Sequence, residues 1–522
     1  MPQTLLDTAA VAAVAHTPYA DVAETHSGVV FLVGDRAYKL KKPIATAFLD
    51  FRRTEDRERA CIREVELNRR FSPDVYLGVA HLTEPGGGPD EPVVVMRRMP
   101  EEARLSLLAL GQADAKEGLG ELARKLASFH RLARRSAQID AEGTACATRR
   151  RWQANLTEIR GFAAAAEHGW LIDRVERLAA DYLHGREPLF ADRIAQRRII
   201  DGHGDLIADD VFLLPDGPRV LDCLDFDDRL RFVDGADDAA FLVMDLEHLG
   251  RADLAGGFLG GYLAAAEDPA PRSLVDHYIA YRALVRAKVE FLRFEQGCDE
   301  SRREARQHLA EASAHLERGA VRLMLVGGLP GTGKSTLANA LAERVGAQVI
   351  SSDLVRHELK TARMIAGELG QYASGLYSPE LSSMVYQVMF ERARDALSHG
   401  ESVILDASWG AAGERERAQQ LGRETDAAVV ALRCTTPPDV AERRIAHRRA
   451  GFSDATADIA RAMATDAGAW TQATDVDTSA PLETSAAAAL AAWERAAQQI
   501  FARAESPHGD GPKPLPRRLS ST

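Results

Sequence analysis

The sequence predicts two joined architectures: an α+β first half with a small β lobe and a large helical lobe, then an α/β second half on a parallel, doubly wound sheet. Three observations carry this expectation. A hairpin pattern near the N-terminus is followed by one charged helix and a long stretch rich in Ala, Leu, Glu and Arg. Near residue 321 the pattern changes to short apolar strands alternating with helical stretches, which implies crossover connections. The chain also has 522 residues, more than one core normally serves.

The elements follow in order. Val29–Val33, the Gly34-Asp35 turn and Arg36–Lys41 read as a β-hairpin that Pro43 ends. Helical spacing runs from Phe51 to Phe71, and Ser72-Pro73 closes it. Val93–Met96 is a short apolar strand, and the residues from there to about Glu187 are mainly helical. Strand-like Arg198–Ile200 and Arg219–Leu224 flank a loop rich in Gly and Asp, before helical patterns from Ala239 to Arg318. In the second half Arg322–Val326, Gln348–Ser351, Ser402–Leu405 and Ala428–Leu432 are strand candidates, with a helix over Ser335–Val345. The division expected is 1–318, 319–505 and a disordered tail at 506–522, where Pro, Gly and Arg mix without periodicity.

Composition bounds the function. With 46% hydrophobic and 27% charged residues the chain is an ordinary globular protein. A net charge of -12 argues against a broad nucleic-acid footprint or an anionic membrane surface, yet a local basic pocket fits within such an acidic whole. Cys61, Cys146, Cys223, Cys298 and Cys434 form no paired metal or redox motif and read as reduced, mostly buried thiols. Asp7 interrupts the apolar N-terminal stretch, there is no cationic leader, and no membrane-length apolar run occurs, so the expected location is cytoplasmic.

The strongest chemical signal is Gly328-Leu329-Pro330-Gly331-Thr332-Gly333-Lys334-Ser335, followed by Thr336. It satisfies GxxxxGK[ST] (Walker A), follows an expected strand and opens an expected helix. Such a P-loop turns backbone N–H groups and a helix N-terminus toward phosphate oxygens. Lys334 is expected on the β and γ phosphates of ATP or GTP, and Ser335 on Mg²⁺. Asp353, at the end of the second strand, is placed to take a proton from an attacking hydroxyl, and Arg356 to grip the acceptor. Asp406 ends an apolar strand in the manner of a Walker-B metal carboxylate. Arg444 and Arg448 share a helical face and read equally as a lid over the phosphates or as a solvated basic face.

On these residues the second half, from Val321 to Arg503, resembles the P-loop small-molecule kinases related to gluconate kinase, polynucleotide 5′-hydroxyl kinase and the zeta toxins. The resemblance implies that Asp353 is the acceptor-side base and that lid arginines stabilise the transferred phosphate.

A second constellation lies in the first half. His203-Gly204-Asp205 follows an apolar strand, and Asp210 stands five residues beyond Asp205. A protein-kinase catalytic loop has the same spacing between an aspartate that accepts the hydroxyl proton and a metal ligand. Leu224-Asp225-Phe226-Asp227 offers Asp225 as a second metal ligand, and Lys39 with Glu64 fits the ion pair that positions phosphates. Singly each is an ordinary surface feature; their order along the chain is the evidence. This half is similar to the aminoglycoside phosphotransferase and choline kinase group, whose catalytic loop reads HGD, and the similarity implies a protein-kinase-like fold. Asp210 stands where that group normally has Asn, and Lys41 is an alternative to Lys39. The whole chain looks like bacterial proteins that fuse such a domain to a P-loop kinase. The resemblance implies a bifunctional phosphotransferase that uses ATP and Mg²⁺ and takes a small hydroxyl compound as acceptor, such as a sugar, a sugar nucleotide or an aminoglycoside-like molecule. It leaves open a first domain that senses a ligand and regulates the second, a switch that hydrolyses nucleotide without an acceptor, and a nucleic-acid 5′-hydroxyl kinase.

Overall fold

A computed structural model describes residues 20–499, apart from 25–27, 46–49, 84–86, 88–89, 112–114, 366–377, 448–455 and 467–468. The tail expected at 506–522 and the lid residue Arg448 therefore lie outside the described residues. The chain packs as two compact units. One gathers Met1–Arg134, Asp201–Val233 and Asp245–Ala266; the other gathers Arg135–Ile200, Asp234–Met244 and Glu267–Thr522. The helices before residue 319 are thus shared between the units, and several of them fall in the same unit as the P-loop sheet.

The first unit holds an antiparallel sheet of β1 (Ala20–Glu24), β2 (Gly28–Val33), β3 (Arg36–Lys41), β4 (Tyr76–Leu82) and β5 (Glu91–Arg97) in the order β1-β2-β3-β5-β4. The expected hairpin is β2–β3, closed by Gly34-Asp35 with Gly34 at φ 56°. That positive φ is why glycine stands there. The helix Thr54–Asn68 carries Glu55 and Asp56 in its first turn, where they complement the helix dipole. It buries Cys61 and Val65 against Ala37, Val75, Tyr76, Val94 and Met96 on the sheet. β6 (Ile199–Asp201) leads into the catalytic-type loop, and β7 (Val211–Leu214) pairs antiparallel with β8 (Gly217–Val220) beyond it. The expected strand to Leu224 stops at Val220. The N–H groups of Asp222 and Cys223 donate to Tyr76 Oη and Asn68 Oδ1 instead of to a strand partner, and Asp222 takes φ 56°. A further short strand, β9 (Phe232–Asp234), follows.

The second unit is centred on β10 (Arg322–Gly327), β11 (Gln348–Ser351), β12 (Val403–Asp406), β13 (Ala428–Thr435) and β14 (Thr474–Asp477), all parallel, in the order β11-β12-β10-β13-β14. Four of the five match the expected strands; β14 was not foreseen, because Thr474–Asp477 lacks the continuous apolar run of a buried strand. Met324, Val326, Leu337, Leu341, Ile404, Leu432 and Trp493 are in its core. Helices Gly169–His184, Glu187–Ala195, Arg272–Glu295 and Ser301–Arg318 pack in the same unit. Arg186, with no exposed surface, donates to Thr425 O at 2.5 Å, and Ser273 Oγ donates to Gly400 O at 2.6 Å. Arg193 is buried between Asp234 and Asp268, each bonded twice. No helix among the described residues is long and apolar enough to cross a membrane. The cysteines are free, with Cys61, Cys223 and Cys434 buried and Cys146 exposed.

Candidate functional site

The P-loop joins β10 to the helix Lys334–Val345. Gly328, Gly331 and Gly333 have φ of 136°, 80° and 82°, conformations that let the backbone curl without a Cβ penalty. A Cβ on Gly331 would lie 2.6 Å from Ala441 O, so the helix Pro438–Ala446 packs directly onto the loop. Thr478 Oγ1 bonds Thr332 O at 2.5 Å, and Arg444 donates to Thr478 O at 2.8 Å. Arg444, the described member of the expected lid pair, is therefore tied by one relay to the loop and stands beside Gly333.

Lys334 Nζ folds back to donate to Leu329 O at 3.0 Å, and Ser335 Oγ donates to Asp406 Oδ2 at 2.5 Å. Burial is the largest influence on Asp406 and raises its pKa. The Lys334 charge and the hydroxyls of Ser335 and Ser351 pull it down only in part, and the Asp353 charge adds to the rise. Asp353 is thus close enough for its charge to act on the expected metal carboxylate. It lies in the first turn of Ser352–Thr361, with no cap hydrogen bond from Ser351, and its Oδ1 accepts from Arg356 at 2.9 Å. Lys334, Ser335, Asp406, Asp353 and Arg356 are therefore gathered at one end of the parallel sheet, where strand carboxyl ends form ligand crevices. The hydroxyl and carboxylate oxygens of Ser335 and Asp406 are hard donors that suit Mg²⁺.

Sequence reasoning missed the brace behind this site. Trp409, buried and at φ 55°, follows Asp406 and donates from its backbone N to Tyr386 Oη. Its neighbour Ser408 accepts from Gly328 N, which links the Asp406 loop to the start of the P-loop. An isolated tryptophan after a strand carries no pattern that marks such a role.

The second constellation assembles within the first unit. Glu64, almost fully buried, lies 2.9 Å from Lys39 Nζ through Oε1 and 2.6 Å from Lys41 Nζ through Oε2. The two alternatives for the phosphate-positioning lysine thus share one glutamate. Lys39 also bonds Asp222 at 2.6 Å, whereas Lys41 bonds Asp225 at 2.9 Å. Burial pulls the Lys39 pKa down, but Asp222 and Glu64 outweigh it and hold the ammonium well above its ordinary value. Glu64 is buried too, and Lys39 and Lys41 keep it below the usual carboxylate range.

His203 explains the HGD signature. One ring nitrogen, Nε2, donates to Leu221 O at 2.9 Å, which leaves Nδ1 to accept from Asp205 N at 3.3 Å and so fixes the tautomer. Gly204, at φ 85°, permits the turn between them. Asp210 is half-buried, and desolvation followed by the negative charges of Asp222 and Asp205 pushes its pKa well above the ordinary carboxylate value. Asp222 is near enough to Asp210 for its charge to act there and pairs with Lys39, whereas Asp225, the second metal ligand expected from the sequence, pairs with Lys41. Asp222 stands two residues beyond the end of β8. The carboxylate set around Lys39 offers hard oxygen donors and carries excess negative charge, which also suits a divalent cation.

Residues 323–470 match a family model described as "AAA domain". Among solved structures the chain is similar to a gluconokinase from Sinorhizobium meliloti 1021, at 19% identity over 36% of this chain and 99% of that one, with a TM-score of 0.28. It is similar also to a choline/ethanolamine kinase family protein from Mesorhizobium loti, at 16% identity over 58% and 90% of the two chains, with a TM-score of 0.35. An uncharacterized protein of Mycobacterium tuberculosis (strain ATCC 25618 / H37Rv) is 50% identical over 479 residues, 92% of this chain and 96% of its own length. The chain belongs to one family with that mycobacterial protein.

Proposed function

We propose that the chain is a phosphotransferase that moves the terminal phosphoryl group of ATP or GTP to a hydroxyl of a small molecule, with the P-loop site as its principal centre. The observation that carries this reading is the convergence of an acceptor-side carboxylate, Asp353, with the donor-side set of Lys334, Ser335 and Asp406. A nucleotide switch needs only the donor side. Mg²⁺ held by Ser335 and Asp406 would neutralise charge on the phosphate oxygens.

The protein's part is positioning and charge. The loop N–H groups hold the phosphates, and Lys334 exchanges Leu329 O for a phosphate oxygen. Asp353 accepts the acceptor's hydroxyl proton as the new P–O bond forms and the bond to the departing nucleoside diphosphate breaks. Arg356 donates to Asp353 Oδ1 at 2.9 Å and so orients the carboxylate. A second phosphotransfer site is proposed in the first unit, with Asp205 as base, Lys39 and Lys41 on phosphate, and Asp210 with Asp222 on the metal. The cytoplasm, where nucleotide and Mg²⁺ are supplied, is the proposed location.

Asp353→Asn tests the assignment. It should keep nucleotide affinity while lowering the rate of transfer to a sugar or nucleoside acceptor by about 100-fold, the usual range for a general base. Unchanged transfer in this variant would remove Asp353 from the chemistry.

A further inference from the structure

A second face of the helix Thr54–Asn68 carries a feature that nothing in the two phosphate sites uses. Arg63, Glu66, Leu67 and Arg70 recur at i, i+3, i+4 and i+7, so they form one stripe, with Glu64 off to its side. Phe129 and Leu132, at the end of the helix Lys116–Leu132, face that stripe together with Ala133, Arg134 and Asp201. They line an open groove of about 380 Å³. A volume of this order holds a small organic ligand.

The lining specifies the chemistry. Arg70 lies over the rings of Phe71 and Phe129, with its guanidinium carbon 5.4 and 5.5 Å from their centroids, so a planar cation and a ring form one wall. Asp201, nearly buried, serves three guanidiniums: Arg231 at 2.9 Å, Arg70 at 3.3 Å and Arg134 at 3.6 Å. Asp228 is shared by Arg231 and Arg63, and Glu66 reaches Arg63 only at 3.8 Å. Four arginines thus face three carboxylates, which leaves one positive charge in a chain whose net charge is -12. Arg134 is the most available of the four, with 62% of its side chain exposed.

We propose that this groove is a binding site for a small aromatic anion, its ring stacked at Arg70 and Phe129 and its negative group held by Arg63 and Arg134. The proposal is independent of the reaction assigned to the P-loop.

The test is a calorimetric titration of the full chain with phenyl phosphate, in a Lys334→Ala background so that the P-loop does not compete. Apart from binding at the Lys39–Lys41 site, which the groove substitutions leave unchanged, one saturable site that depends on Arg134 and Arg63 is expected. Arg134→Ala and Arg63→Gln should each weaken it by about tenfold, the loss of one charge-assisted contact. Glu66→Gln, which removes a competing carboxylate, should tighten it, and this gain cannot arise from misfolding. Inorganic phosphate, lacking the ring, should bind less well than phenyl phosphate. No saturable binding, affinity unchanged in either arginine variant, or equal affinity for inorganic phosphate would overturn the proposal.

Discussion

At the scale of single residues the two sites make different demands on charge. Asp210 is half-buried near Asp222 and Asp205, whose charges add to its desolvation, and its folded pKa stands well above the unfolded value near 3.9. The folded state therefore binds that proton more tightly than the unfolded state, and stability falls as the pH rises from the unfolded value toward the folded one. Asp210→Asn removes this burden. In chelator, the variant should melt at a higher temperature than the wild type at about pH 8, with the gap closing toward about pH 4. Differential scanning fluorimetry across pH checks this; an equal or lower melting temperature for the variant at the alkaline end would contradict it. In the P-loop the constraint is steric. Gly331→Ala places a methyl 2.6 Å from Ala441 O at a positive φ, so nucleotide affinity should fall by at least about tenfold while the rest of the chain stays folded. Equilibrium dialysis with ATP and a circular dichroism spectrum read the two effects separately.

Residues were legible in proportion to how local their signal is. The P-loop motif spans eight consecutive positions and needs no tertiary information, and the structure gives it the strand, loop and helix that the motif implies. Asp353 and Asp406 were legible because strand ends in a parallel sheet converge. The placement of Asp222 was not, because it depends on where β8 stops. That end is set by Tyr76 and Asn68, more than 140 residues earlier.

At the scale of elements, the buried guanidinium of Arg186 ties two segments of the second unit together. It connects the helix Glu187–Ala195 to the turn after Glu424, donating to Gly185 O and Thr425 O, and burial lowers its pKa. Its partners are carbonyl oxygens. Arg186→Ala would leave a cavity and unsatisfied acceptors, so a loss of about 3 kcal/mol is expected in chemical unfolding of the full chain. A loss below about 0.5 kcal/mol would show that the seam tolerates water in place of the side chain. The hairpin β2–β3, the following helix and four of the five parallel strands were readable from periodicity and turn residues. β1, β4 and β14 were missed because half-exposed or short strands carry little hydrophobic alternation.

At the scale of the molecule, the sequence boundary near residue 318 separates two motifs, but packing groups the helices of 135–200 and 267–318 with the parallel sheet. Arg322 makes the same point from the other side: its guanidinium donates to Glu317 O, Ala320 O and Trp493 O. A fragment of residues 319–505 would lose Arg186, Ser273 and Glu317 as partners at once. It is expected to unfold without the cooperative transition of the full chain, as read by calorimetry. A sharp transition at the full-chain temperature would show that the sheet is stable alone.

Transfer of phosphate to an acceptor at the P-loop site is the reaction proposed for this chain. The most direct measurement uses ATP labelled in its terminal phosphate, offered to the full chain with pooled sugars, nucleosides, aminoglycosides and 5′-hydroxyl oligonucleotides, for the wild type, Lys334→Ala, Asp353→Ala and Asp205→Ala. A labelled small-molecule product that disappears in Lys334→Ala and Asp353→Ala but persists in Asp205→Ala is the predicted result. ATP hydrolysis with no labelled acceptor, undiminished in Asp353→Ala, would contradict it.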